Sequence, residues 1–254
     1  MRRGWKCLWC LIVIMAIASA QAVAADVDTG KKKPLTPQEM GRMTSAQLLL
    51  RTDATGDEDY EAGLIAYGRQ EIVEAQGLFE RAAKKGNIKA LGKYAEILNK
   101  AGFVNEAAAA YLQAAKRGDA ESQFNLAAMY MDFNSYDLKD ISTRQRTDEA
   151  RKWLEKAAEQ GHAGAVGLLM EAYVHGGLGM TDAERTDATV LEWINKAVDL
   201  NNASAMSYLS DAYRHGKYGL AVDIKLANEW DKKAKAALGV VQKKKVKVRR
   251  KHRR

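Results

Sequence analysis

EARKWLEKAAEQGHAGAVGLLMEAYVHG, residues 149–176, spells a helix, a turn and a second helix in one line. Its first half carries Trp153 and Ala157 on one face and stops at Gly161; its second half sets Ala165, Leu169 and Tyr173 four residues apart. Residues spaced by four stack along one side of a helix, so small, large and aromatic side chains form a single buried stripe. The small residue lets two helices approach closely, and the aromatic fills the space toward the next pair. Gly161 supplies the left-handed backbone that ends the first helix.

The same phrase occurs five times. EAQGLFERAAKKG ends at Gly86, EAAAAYLQAAKRG at Gly118, EARKWLEKAAEQG at Gly161, ATVLEWINKAVDLN at Asn201 and KLANEWDKKAKAAL at Leu238. Aligned on Ala82, Ala114, Ala157, Ala197 and Ala234, the copies are 32, 43, 40 and 37 residues apart. After each turn residue the fourth position is Ala90, Ser122, Ala165 or Ala205, the eighth Tyr94, Leu126, Leu169 or Leu209, and the twelfth Leu98, Tyr130, Tyr173 or Tyr213. A helical hairpin repeated at this period buries its apolar face only against its neighbours, which predicts an all-α αα-hairpin solenoid of about five units.

Two runs carry a family resemblance: residues 212–234, AYRHGKYGLAVDIKLANEWDKKA, and residues 148–176. Each holds Ala-x-x-Trp-x-x-Lys-Ala, at Ala150 to Ala157 and at Ala227 to Ala234, and each holds Tyr-x-x-Gly, at Tyr173 to Gly176 and at Tyr213 to Gly216. Over roughly residues 57–238 the chain resembles the Sel1-like repeats, a branch of the tetratricopeptide superfamily. The resemblance implies a curved, right-handed stack that holds a protein partner on its concave face, lined by the first helix of each hairpin. The seventh position after each turn flanks the packed stripe there, giving Lys93, Asn125, Leu168 and Tyr208; of these Lys93, Asn125 and Tyr208 are the expected contact residues.

Outside the repeats the chain divides into a leader (1–24), a polar arm (25–56) and a basic tail (239–254). Arg2, Arg3 and Lys6, the apolar run from Cys7 to Ala18 and the small residues at 22–24 have the layout of a cleaved secretory signal. The apolar run is shorter than the ~20 residues a spanning helix needs. Trp9 stands where a lipid-attachment signal needs a small residue before Cys10. A periplasmic or secreted protein without thiols is expected, because both cysteines lie in the leader. In the arm, Thr36 before Pro37 and Thr44 before Ser45 read as helix caps, and Leu48, Leu49 and Leu50 offer cover for the open end of the stack.

Charge is concentrated in Lys243, Lys244, Lys245, Lys247, Arg249, Arg250, Lys251, Arg253 and Arg254. Removing these nine and the leader's three from the formal +8 leaves a body of −4, so the basic character belongs to a tail, expected to be disordered. For an exported chain such a cluster points to anionic phospholipid, lipopolysaccharide, peptidoglycan or an acidic envelope partner rather than to nucleic acid.

The spacing excludes most chemistry. His175 and His215 sit at equivalent places before a glycine, where a histidine complements the helix dipole; no His-x3-His or carboxylate cluster accompanies them. Gly176-Gly177-Leu178-Gly179 follows a helix, whereas a phosphate cradle precedes one. His162 reads as a surface turn residue, and Trp153, Trp193 and Trp230 as packing anchors. Both Arg-Thr-Asp runs, 146–148 and 185–187, read as helix caps closing longer loops. No catalytic residue, metal ligand or cofactor is expected.

Overall fold

The computed structural model describes residues 34–132 and 141–251, with side chains as far as 239; the leader with Cys7 and Cys10, and Arg253 and Arg254, lie outside the described residues. The described residues from Pro37 onward form one compact unit. Two short helices, α1 (Pro37–Met40) and α2 (Ser45–Leu49), lead into ten that pair as five hairpins. These are α3 (Gly56–Gly68) with α4 (Ile72–Lys84), α5 (Ile88–Lys100) with α6 (Val104–Lys116), α7 (Ala120–Met131) with α8 (Thr143–Glu159), α9 (Ala163–His175) with α10 (Asp187–Asp199), and α11 (Ala203–His215) with α12 (Ile224–Lys251). The described residues are thus an all-α stack of helical hairpins.

The turns between hairpins explain the repeated phrase. Gly86, Gly118, Gly161 and Asn201 all take positive φ, between 58° and 97°. That lets the next residue fold back, so the N–H groups of Asn87, Asp119, His162 and Asn202 donate to the carbonyls of Ala82, Ala114, Ala157 and Ala197 at 3.0–3.2 Å. The same four residues then cap the following helix, accepting from the N–H of Ala90, Ser122, Ala165 and Ala205. One residue satisfies an orphan carbonyl behind it and an orphan N–H ahead of it. His162 is therefore a helix cap and not a surface turn residue: its ring also stacks on Phe124 at 4.5 Å, which leaves the side chain only 16 % exposed.

The stripe read from the sequence is the core. Ala82, Ala90, Ala95, Ala114, Ala157, Ala165 and Ala205 are inaccessible, and Leu126, Leu169, Leu209 and Tyr173 are buried between successive hairpins. Trp153 is buried, but Trp193 and Trp230 are half-buried. Each of the three has the lysine one turn on over its ring, Lys156, Lys196 and Lys233, at 4.5, 4.4 and 3.8 Å. The Trp-x-x-Lys spacing thus covers one aromatic face with a cation. Close packing also fixes Gly63, where an added Cβ would lie 2.6 Å from the ring of Phe79, itself inaccessible. Gly63→Ala is expected to destabilise the first hairpin by about 1–3 kcal/mol through overpacking, read as a lowered urea midpoint. Phe79→Leu in the same background should restore part of the loss.

Leu48 is buried and Leu49 packs against α4 at Gly77, so the arm covers the first hairpin as expected, whereas Leu50 faces solvent. Thr44 and Gln47 form a reciprocal capping box that starts α2.

Two local expectations fail for identifiable reasons. The helix does not stop at Leu238: α12 runs to Lys251, because lysine and arginine are good helix formers and Gly239 alone does not end a helix. Thr147 and Asp148 do not cap α8, which starts at Ser142 through a capping box with Gln145, a turn earlier. Thr186 does cap α10. What the two Arg-Thr-Asp runs share is the arginine. Arg146 donates to the carbonyls of Tyr130 and Asp132, and Arg185 to those of Tyr173 and Val174, so each satisfies the exposed C-terminal end of the preceding helix.

Candidate functional site

Successive first helices approach one another, with Ser122 of α7 close against Gly92 of α5, which makes α3, α5, α7, α9 and α11 a connected layer. Tyr67 of α3 donates to Glu96 of α5 at 3.0 Å. Glu121 and Phe124 of α7 meet His162 at the start of α9. Tyr208 of α11 donates to Glu171 of α9 at 2.8 Å and lies 2.5 Å from His175 Nε2.

Glu96 is the most heavily bonded of these groups, held by Lys100 at 2.5 Å and Lys93 at 2.8 Å besides Tyr67. Burial opposes its ionisation, but the three donors outweigh burial and bring its carboxyl down to about 2. A folded-state value below the unfolded one means stability that is fully present above about pH 4.5 and lost as pH falls toward 2. Against Glu96→Gln, the wild type is expected to lose on the order of 2 kcal/mol across that interval, the side chain being a quarter exposed and partly screened. Urea midpoints of both proteins at pH 6, 4 and 2.5 check it; parallel profiles would remove Glu96 as the cause.

Lys93, Asn125 and Tyr208 stand one per first helix, on α5, α7 and α11, and are not gathered into one pocket. Lys93 is engaged by Glu96. Tyr208 is engaged by Glu171 and His175, with burial first and the Glu171 carboxylate second pushing its phenol up to about 12. Asn125 alone of the three has no side-chain hydrogen bond among the described residues. It lines a cleft of about 250 Å³ between α5, α6 and α7, together with Asn99, Val104, Tyr111, Ala128 and Met129. Asp132 stands at its edge.

Tyr111 was open to discovery from the repeat and was missed. Three residues before the aligned alanine, three of the other four copies have Phe79, Leu154 and Ile194, all inaccessible, and the last has Asp231. Tyr111 occupies that slot, is 3 % exposed as a residue, and stands at the wall of the cleft. Burial, with the carboxylates of Glu96 and Glu121 next, pushes its phenol well above the ordinary range, so it stays a neutral donor. Asn99 carried no signal in the sequence, since other copies place Met131, Val174 and Arg214 there.

His175 and His215 end α9 and α11 before Gly176 and Gly216, as read from the sequence, and pair with Glu171 and Asp211 one turn back, at 3.4 and 3.3 Å. Among the described residues no group of three or more His, Cys, Asp or Glu side chains converges as metal ligands, and no helix is long and apolar enough to cross a membrane.

No protein-family profile and no curated protein matches the sequence. Among solved structures, the chain is similar to a Sel1 repeat protein from Oxalobacter formigenes, at 25 % identity and a TM-score of 0.40, over 50 % of this chain and 87 % of that one. It is also similar to a protective antigen of uropathogenic Escherichia coli with an SLR fold, at 21 % identity and a TM-score of 0.45. That match spans 77 % of this chain and 49 % of the antigen. The repeated phrase resembles the Sel1-like repeats, and the described residues fold as the stack of helical hairpins which that resemblance implies.

Proposed function

We propose that this is a non-enzymatic scaffold of the bacterial cell envelope, exported by a cleaved leader and holding a protein partner against its layer of first helices. The observation that carries the reading is the continuity of that layer: side chains link α3 to α5, α7 to the start of α9 and α9 to α11, Ser122 of α7 lies close against Gly92 of α5, and a cleft opens beside Asn125. Such surfaces suit an extended partner better than a compact small molecule. Photocrosslinking in cells tests it. Benzoylphenylalanine at positions 93, 125, 168 and 208 is expected to trap a defined envelope protein, and at the exposed second-helix positions 113, 152 and 192 to trap none. Equal yields from both sets would sink the assignment of the surface, and an intact mass retaining residues 1–24 would sink the export.

A second reading has its own observation, the helix α12 that continues through Lys243 to Lys251, past Ala237, the last buried residue among its described side chains. Seven of the tail's nine basic residues fall on that run, and each adds on the order of 1 kcal/mol near an anionic membrane. In this reading the tail tethers the protein to phospholipid or lipopolysaccharide. Vesicle co-sedimentation of the full chain should fall steeply between 0.1 and 1 M salt, where the Debye length drops from ~10 to ~3 Å; salt-independent binding excludes the tether.

A further inference from the structure

We propose that the edge of the fifth hairpin, where the basic run of α12 begins, is a membrane foot: Leu200 and Leu238 enter the interface of an anionic phospholipid bilayer while the basic run holds its headgroups. It rests on the tether reading above, adds an apolar contact to it, and commits it to phospholipid.

Both leucines break the repeated phrase. Three residues after the aligned alanine, three other copies have Lys85, Arg117 and Gln160, and the fourth has Leu200. One position further on, the copies turn at Gly86, Gly118, Gly161 and Asn201, whereas the fifth has Leu238 and continues as a helix. The two are exposed, at 39 and 52 %. Their chain neighbours are not: Met206, Ala234 and Ala237 form a small buried cluster with Val198, Ala203 and Trp230 packed against it. Leu200 lies between Val198 and Ala203, and Leu238 follows Ala237, so each adjoins this cluster without being enclosed by it. From Leu238 the helix reaches Lys243, the first of seven basic residues, after about 7–8 Å at 1.5 Å per residue.

Charge and apolar surface in this order select the occupant. A bilayer presents anionic headgroups above acyl chains, and stable interfacial binding combines Coulomb attraction with burial of apolar side chains. A second copy is disfavoured, because it would bring another run of seven positive charges against the first. A purely polar polyanion would leave both leucines in water. Asp199 is exposed beside Leu200, but Lys232 and Lys235 are exposed on α12 ahead of the basic run, so the surroundings stay positive. Exposure alone does not make a foot. Val222 is 62 % exposed, yet it stands before the start of α12, more than 20 residues from Lys243.

The test titrates the full exported chain with vesicles of phosphatidylcholine, with and without phosphatidylglycerol. The sequence has no cysteine after Cys10, so Leu238→Cys and Val222→Cys each accept a single nitrobenzoxadiazole label, whose emission rises in an apolar medium. Emission from position 238 is expected to rise on the anionic vesicles, and that from position 222 to stay flat. Without label, Leu200→Ser and Leu238→Ser should each weaken vesicle binding about tenfold, the worth of a leucine taken out of water. Their salt dependence should match wild type, and Val222→Ser should bind as wild type does. An unaltered melting temperature shows that each loss is local. Serine variants that bind like wild type, or flat emission from position 238, overturn the foot, while salt-sensitive co-sedimentation of the wild type still supports the tether. No vesicle binding by the wild type overturns both. A rise at position 238 on lipopolysaccharide but not on phosphatidylglycerol overturns the phospholipid assignment.

Discussion

Trp153→Ala is expected to destabilise the protein by about 3–5 kcal/mol, the range for removing a large aromatic from a core. Trp153 is 5 % exposed and belongs to the cluster that joins the second, third and fourth hairpins, with Leu126 and Leu169 among its members. Its indole N–H has no hydrogen-bond partner among the described residues, so the loss comes from packing and from the Lys156 ammonium over the ring. Trp153→Phe should therefore recover much of the stability, having no hydrogen bond to replace. Trp193→Ala should cost less, about 2 kcal/mol, because that ring is half-buried, resting on Tyr173 at 5.4 Å with Lys196 over it. Equilibrium urea denaturation followed by circular dichroism measures all three. A Trp153→Ala midpoint within ~0.5 kcal/mol of wild type, as for ordinary surface changes, would show that the third hairpin does not depend on this contact.

The second large effect is at the other end of the stack. Asp59 is 1 % exposed and is satisfied by Arg81, at 2.5 and 2.9 Å, and by Lys85 at 2.7 Å. Arg81 also donates to the carbonyls of Leu48 and Leu49, and Lys85 to that of Ala54, so one cluster ties α2 and the segment after it to the first hairpin. Breaking a buried pair by removing one partner leaves an uncompensated charge, typically at a cost of 3–5 kcal/mol. Arg81→Ala is expected near the lower end, about 3 kcal/mol, since Lys85 remains and the arginine is a quarter exposed. Hydrogen exchange should show α1, α2 and α3 opening first, because repeat proteins lose stability unit by unit. Protection of α2 equal to wild type would mean that Leu48 and Leu49 hold it without the ion pair.

The cluster at Asp59 was not legible in the sequence, although the hairpin it closes was. Ala82, Gly86 and Ala90 announce themselves by recurring at fixed offsets, because a helix face and a left-handed turn are local requirements repeated in every unit. Arg81 and Asp59 occur once and lie 22 residues apart, and no period connects them. The arginines of the two Arg-Thr-Asp runs fall between these cases. Their recurrence is visible in the sequence, but their role is not, since the carbonyls that Arg146 and Arg185 reach come within range only when the loop folds back on the preceding helix.

By itself the sequence determined the five αα-hairpins, their turn residues and the buried stripe, because 3.6-residue periodicity and positive-φ turns depend only on neighbours within a helix or two. Tertiary structure alone decided that His162 caps a helix while stacking on Phe124, that Lys93 and Tyr208 are spent on carboxylates, and that Asn125 is joined by Asn99 and Tyr111 at one cleft. Those outcomes turn on which polar groups find partners once three helices meet, and hydrogen bonding at about 3 Å is set by packing distances that no residue spacing encodes.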